Sequence, residues 1–147
     1  MNKHEVDRMI PQAYEVLSQV RIAENGKVNK AWRGQISSFG ASIMQGSLLS
    51  AVSFFSAQGG AETKRERLMM AIWLLLNREK QFNISFEPKN DEEKEKYKEV
   101  ATRLYKQVQP QPNDKKLKED IVNAAVALKL AMNLYDMGKG TNDVDES

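Results

Sequence analysis

Cysteine is absent from this chain, and histidine occurs once, at His4. Together these absences remove disulfides, thiolate zinc sites, iron–sulfur clusters, cysteine nucleophiles and histidine-centred triads. Also missing are a GxxxxGK[ST] phosphate loop, a GxGxxG dinucleotide pattern, HExxH and GxSxG. The carboxylates crowded into residues 91–99 are interleaved with lysines, the pattern of a solvated helix face rather than of a general acid pair. The expectation is a chain that is not an enzyme and holds no metal and no cofactor. Long apolar runs are missing too. The longest, residues 68–76, falls far short of the ~20 residues a membrane span needs. Residues 1–24 mix charged and apolar side chains and do not read as a secretion signal. A cytoplasmic protein without a membrane partner is expected.

One further absence is local. In a chain that is 29% charged, residues 34–61 carry no charge at all. Serines and glutamines are spread through this block, which makes it too polar for lipid and suited to the interior of a helical protein. Charge returns abruptly at residues 62–67, ETKRER, and is followed by the apolar run. With 147 residues the chain is the size of one domain, and its net charge of +2 is too small to argue for any partner by itself.

Periodicity supplies the elements. Val6, Met9/Ile10, Ala13, Leu17 and Val20 recur at helical spacing. Pro11 leaves two readings open, a helix kinked near residue 10 or one that starts at Pro11. A helix over most of residues 2–24 is expected, ended by Asn25-Gly26 with the glycine as a left-handed cap. A second helix, 29–44, has Trp32, Ile36, Phe39 and Ile43 inward, with Gly40 and Ala41 admitting a neighbouring backbone. Gly46-Ser47 breaks it. A third, 47–57, turns Leu48, Val52 and Phe55 inward and stops at Gln58-Gly59-Gly60. Thr63 and Glu66 have the spacing of a capping box for a fourth helix, 64–77. That helix is apolar almost all round, so it is either central or covered by a partner. Residues 81–90 read as an extended segment or loop laying Phe82 and Phe86 on the bundle. Asn90 caps a fifth helix, 91–107, with Tyr97, Val100, Ala101, Leu104 and Val108 on one face. A sixth, 114–137, is capped by Gly138. The prediction is an all-α protein, a single compact bundle of five to six helices over residues 1–138, with a polar, disordered tail over 139–147.

Basic residues gather at the edges of the uncharged block. Lys27, Lys30 and Arg33 are spaced by three, so the last two can share a helix face. Lys64, Arg65 and Arg67 open the fourth helix, whose N-terminus favours anions. If the second and fourth helices pack together, both clusters can meet one phosphate backbone. Charge alone leaves open whether they do so or form an ordinary solvated surface. Trp32 and Trp73 fit either base stacking or a core anchor. The excess apolar surface of Met69, Met70 and Trp73 suggests a protein interface.

Residues 32–55, WRGQISSFGASIMQGSLLSAVSFF, resemble the signature of the small subunit of type III-B CRISPR effector (Cmr) complexes, the fifth protein of the Cmr module. Bacterial members look like GxISSFGASIxQSGLLPAVAFF, followed by a Gly-containing turn, a basic helix start and an apolar helix. Arg65-Glu66-Arg67-Leu68 and Ala71-Ile72-Trp73-Leu74-Leu75 fit that continuation, and Gly26-Lys27-Val28 is similar as well. The resemblance spans residues 26–76, about half the chain. It departs where relatives place Gly before the Leu pair and Pro after it; here Gly46-Ser47 precedes the pair and Ser50 follows.

The resemblance implies an α-helical, non-catalytic subunit of an antiviral ribonucleoprotein. Its partners would be further copies of itself, the guide-bearing backbone subunit, the large Cas10-type subunit, guide RNA and target RNA. In such an assembly guide–target pairing reads sequence, so the protein need only follow a phosphate backbone. Lys27, Lys30, Arg33, Lys64, Arg65 and Arg67 are the expected RNA contacts, and Met69, Met70 and Trp73 the expected subunit contacts. Two alternatives stand beside this reading. One is a spacer that binds only proteins; the other is the equivalent type III-A small subunit, which shares the role but not the SFGA block.

Overall fold

Seven helices and three short strands make up the regular structure of residues 1–57 and 64–138, the part of the chain that the computed structural model describes. The predicted stop at Gln58-Gly59-Gly60, Thr63 of the predicted capping box and the tail at 139–147 lie outside the described residues.

Helix α1 (Lys3–Gln19) runs through Pro11 without interruption. Its start is anchored twice: the Asn2 side chain accepts from the Glu5 amide, and the Asn2 amide donates to buried Asn123 at 3.0 Å. It ends earlier than its periodicity suggests. Arg21 takes a left-handed conformation (φ 61°), and the amides of Arg21 and Ile22 close back onto Ser18 and Leu17. That is a Schellman termination with arginine in the place glycine usually holds. Asn25-Gly26, expected to cap the helix, instead forms the two-residue turn of a β-hairpin. Both residues have positive φ, 55° and 75°, as a type I′ turn requires. The turn joins β1 (Ala23–Glu24) to β2 (Lys27–Asn29), with Glu24 opposite Lys27.

Helix α2 (Ala31–Gln45) buries Trp32, Ile36, Phe39 and Ile43, the stripe that its spacing predicts. Gly40 does not admit a neighbouring backbone, however, since a Cβ there would meet nothing within 4 Å. The junction to α3 (Leu48–Ser56) is a reciprocal cap. The Ser47 hydroxyl accepts from the Ser50 amide at 3.0 Å and the Ser50 hydroxyl from the Ser47 amide at 3.2 Å. Two short side chains thus satisfy two of the amides that a helix start leaves unpaired.

Helix α4 (Glu66–Asn77) is the centre of the bundle and packs on α1, α3, α5, α6 and α7. Its all-round apolar surface is consumed by that position. The side chains from Leu68 to Ile72 are solvent-inaccessible. Residues 81–90 hold no helix, and they press Phe82 and Phe86 against the core.

Asn90 caps the next helix as its position predicts, accepting from the Glu93 amide at 2.8 Å. The single helix expected over 91–107 is two, α5 (Asp91–Ala101) and α6 (Arg103–Val108). Thr102 breaks it because its hydroxyl donates back to the carbonyls of Lys98 and Glu99, competing with the backbone ladder. The predicted inner face, Tyr97, Val100, Ala101, Leu104 and Val108, is buried across both pieces.

Helix α7 (Lys115–Met132), capped by Asp114, lies along α1. It stops short of Gly138. The chain turns at Asn133, Tyr135 stacks on Tyr14 (ring centroids 4.4 Å apart) and donates its hydroxyl to the Tyr14 carbonyl at 2.6 Å. Asp136–Gly138 then forms β3, parallel to β2 with Lys27 beside Asp136 and Asn29 beside Gly138. The protein is therefore a helical bundle, as predicted, with a small sheet of order β1-β2-β3 that ties the hairpin between α1 and α2 to the segment after α7.

Candidate nucleic-acid interface

The sheet and the start of α2 carry the first basic cluster. Lys27 is exposed on β2, Lys30 is exposed at the residue before α2, and Arg33 is half-buried in its first turn. Asn29 sets the direction of the helix by accepting from the Ala31 amide at 2.9 Å. The turn at Asn25-Gly26 and the pairing of β2 with β3 hold this rim on backbone hydrogen bonds rather than on side chains. The register brings a carboxylate beside Lys27 on each side, Glu24 on β1 and Asp136 on β3.

The second cluster divides. Lys64 is exposed. Arg65 is half-buried, with its guanidinium 4.4 Å above the ring of Phe54 and its Nε donating to the Phe54 carbonyl at 3.3 Å. Arg67 is not part of any surface cluster, and its expected role as a phosphate contact is corrected here. It is 8% exposed, and its guanidinium donates to the carbonyls of Arg21 and Phe86, each at 3.2 Å, and reaches the Tyr97 hydroxyl at 3.5 Å. Neighbouring Glu66 is buried too and accepts from the Tyr97 hydroxyl at 2.7 Å, so it does not reach back over the helix start as a capping residue would. Tyr97 thus bridges an acid and a base inside the protein. Burial, with help from the Glu66 carboxylate and against the pull of the Arg67 hydrogen bond, pushes its phenol up to about 12.

Two of the expected subunit-contact residues, Met69 and Met70, also need correction. Met69 and Met70 are fully buried, because α4 is enclosed by the protein's own helices. Trp73 is half-buried, packed on Phe82 at 5.5 Å and overlaid by Arg103 at 5.1 Å. Glu99 holds that arginine with two hydrogen bonds, at 2.8 and 2.9 Å. Trp32 is a core anchor on α2. Nor do the two basic clusters share a helix pair, since α2 packs on α3 and α7 and has no substantial contact with α4.

The exposed apolar side chains lie elsewhere. Phe54 is 60% exposed and Met44 78%. Met44 edges an apolar groove of about 320 Å³ between α2 and α7, with Gly40, Ala41, Val122 and Val126 in its walls and Lys129 beside them. The helical period places Phe54 off the inward face of Leu48, Val52 and Phe55, and that was the available signal for it. Among the described residues no group of three or more His, Asp or Glu is placed to hold a metal, and no helix is long and apolar enough to cross a membrane. Compared with protein-family models, curated proteins and solved structures, the chain matches none.

Proposed function

We propose that this chain is a non-catalytic structural subunit of a type III-B CRISPR ribonucleoprotein. It contacts RNA through Lys27, Lys30, Arg33, Lys64 and Arg65, stands beside the guide-bearing backbone subunits in the cytoplasm, and leaves cleavage to other subunits. The observation that carries the reading is the placement of the uncharged block. Its residues form α2 and α3, while exposed cations stand immediately before α2 and before α4. A rigid, charge-free element edged by lysine and arginine suits a protein that follows a phosphate backbone without reading bases. The SFGA block supplies the assignment to this type of complex.

The test is a salt titration of binding to a labelled single-stranded RNA. Each lost phosphate contact lowers the slope of log K against log salt by about 0.7. Lys30→Glu with Arg65→Glu should weaken binding and flatten that slope by about twice this amount. Unchanged affinity and slope would remove these residues from the interface. A large Cas10-type gene and repeat arrays beside the coding gene would support the assignment to the complex, and their absence would count against it.

The α2–α7 groove favours a second reading, a spacer that contacts only proteins. Its docking face would be this groove with Met44, not the enclosed Met69 and Met70. Crosslinking in the assembled ribonucleoprotein separates the two, because a spacer gives no RNA crosslinks at residues 27–33 or 64–65.

A further inference from the structure

Phe54 is the most exposed aromatic side chain among the described residues, and it does not stand alone. Arg65 is fixed against it in two ways, through the face of the ring at 4.4 Å and through the hydrogen bond from Nε to the Phe54 carbonyl. A cation within ~6 Å of a ring centroid is held by the ring quadrupole, and the second contact restrains the guanidinium from swinging away. Lys64 is exposed next to it in the chain. Helix α3 itself carries no charge, and Glu66, the acid that follows Arg65, is turned inward to Tyr97. The surface of α3 and the start of α4 therefore combines an exposed aromatic ring, a restrained planar cation lying over it and an exposed ammonium, and the described carboxylate at this point, Glu66, is buried.

We infer that Phe54 and Arg65 form a stacking platform for an unpaired base of single-stranded RNA, with Lys64 meeting the phosphate beside that base. The inference rests on the proposed RNA-contacting role and adds a class of contact to it. A nucleotide satisfies both halves of this surface, because its base offers a flat face to the Phe54–Arg65 pair and its phosphate an anion to Lys64. An apolar protein partner would cover Phe54 but leave two cations uncompensated. Bases stack on aromatic rings and on arginine planes alike, and only an unpaired base offers its face. Because every base has such a face, the platform is tolerant of sequence, as a guide-directed assembly requires. The groove between α2 and α7 has no aromatic wall and offers no comparable surface.

The experiment compares the full chain, wild type and Phe54→Ala, for binding to a labelled oligouridylate and to an abasic oligomer of the same length and charge. Arg65→Lys is a third arm that keeps the charge but loses the plane. Wild type should prefer the uridylate. Phe54→Ala should weaken uridylate binding on the order of tenfold, within the range set by base–aromatic stacking, and leave abasic binding and the salt slope unchanged. Arg65→Lys should lose part of the preference and keep the slope. Since Phe54 is exposed, circular dichroism and the thermal midpoint of Phe54→Ala should match wild type. Two results overturn the platform: equal affinity of Phe54→Ala and wild type for the uridylate, or equal affinity of wild type for the two oligomers. If either occurs while Lys30→Glu still flattens the salt slope, the RNA-contacting role stands without the platform. Failure of wild type to bind either oligomer at low salt removes both.

Discussion

Arg67 separates a structural from an RNA-contacting role more sharply than any other residue. Its guanidinium gives two charge-assisted hydrogen bonds, to the carbonyls of Arg21 and Phe86, and so ties the start of α4 to the end of α1 and to the segment before α5. It also sits 5.4 Å above the Phe86 ring. Each charge-assisted bond contributes about 1.5–3 kcal/mol, and the carbonyls left behind by truncation lose their donor in a buried or half-buried place. Arg67→Ala should therefore cost about 3–5 kcal/mol, the range found when one partner of a buried charged network is removed. For a chain of this length that is a fall of roughly 10 °C in the thermal midpoint. Lys64→Ala, on the surface a few residues away, should stay within about 0.5 kcal/mol of wild type. Urea or thermal unfolding followed by circular dichroism measures both, with RNA affinity taken below the unfolding transition. The expected pair of results for Arg67→Ala is a large loss of stability and unchanged affinity in the fraction that remains folded. A variant with the wild-type midpoint and weakened RNA binding would refute the argument and return Arg67 to the surface.

Two further outcomes follow from the same packing. Gly40→Ala should raise stability by about 0.5–1 kcal/mol, because the glycine lies inside a helix and a Cβ there meets only open space; a lower midpoint would mean that another backbone does approach α2. Stability should also fall as the solution is made alkaline, through Tyr97. The unfolded phenol loses its proton near 10 and the folded one near 12, so the native state binds more protons between these values. The stabilisation is complete below about pH 10 and is lost as pH rises through 12. The gap in urea midpoint between wild type and Tyr97→Phe should accordingly narrow as pH rises from about 10 towards 12, and parallel curves would show that the phenol is not shifted.

Much of the fold was legible because its signals are local. The stripe of Trp32, Ile36, Phe39 and Ile43, the cap at Asn90 and the inner face from Tyr97 to Val108 each follow from spacing and side-chain chemistry within a few residues. The hairpin was also written locally. Asn-Gly is a strong signal for a type I′ turn, and here it was outweighed by the helical periodicity that precedes it. What ended α1 instead was Arg21 in a left-handed conformation, which no composition rule favours. The parallel pairing of β2 with β3 was not legible at all. It joins residues more than a hundred positions apart and depends on α7 ending early, with Tyr135 drawn onto Tyr14.

The candidate site was readable in its cations but not in their exposure, and the reason lies in α4. Lys64, Arg65 and Arg67 are one cluster in the sequence, yet the structure sends the first to solvent, the second onto an aromatic ring and the third into the core. Charge counting treats them alike. The missing step was already contained in the run that follows them. A helix apolar on every side leaves its own first turn no solvent-facing side to occupy, so residues at its start are carried inward with it. Arg67 lies on the same helical face as Ala71 and Leu74, which are fully buried, and Glu66 enters alongside with Tyr97 as the bridging hydroxyl. Burial of these two charges is tolerable only because Arg21, Phe86 and Tyr97, from three separate segments, supply the partners. The same enclosure removes Met69 and Met70 from any docking surface and shifts the argument for contact to side chains that the bundle leaves outside. In that outer layer the geometry of Phe54 and Arg65 is fixed before any partner arrives, and for that reason they should contribute strongly to whatever the α3 face of the protein binds.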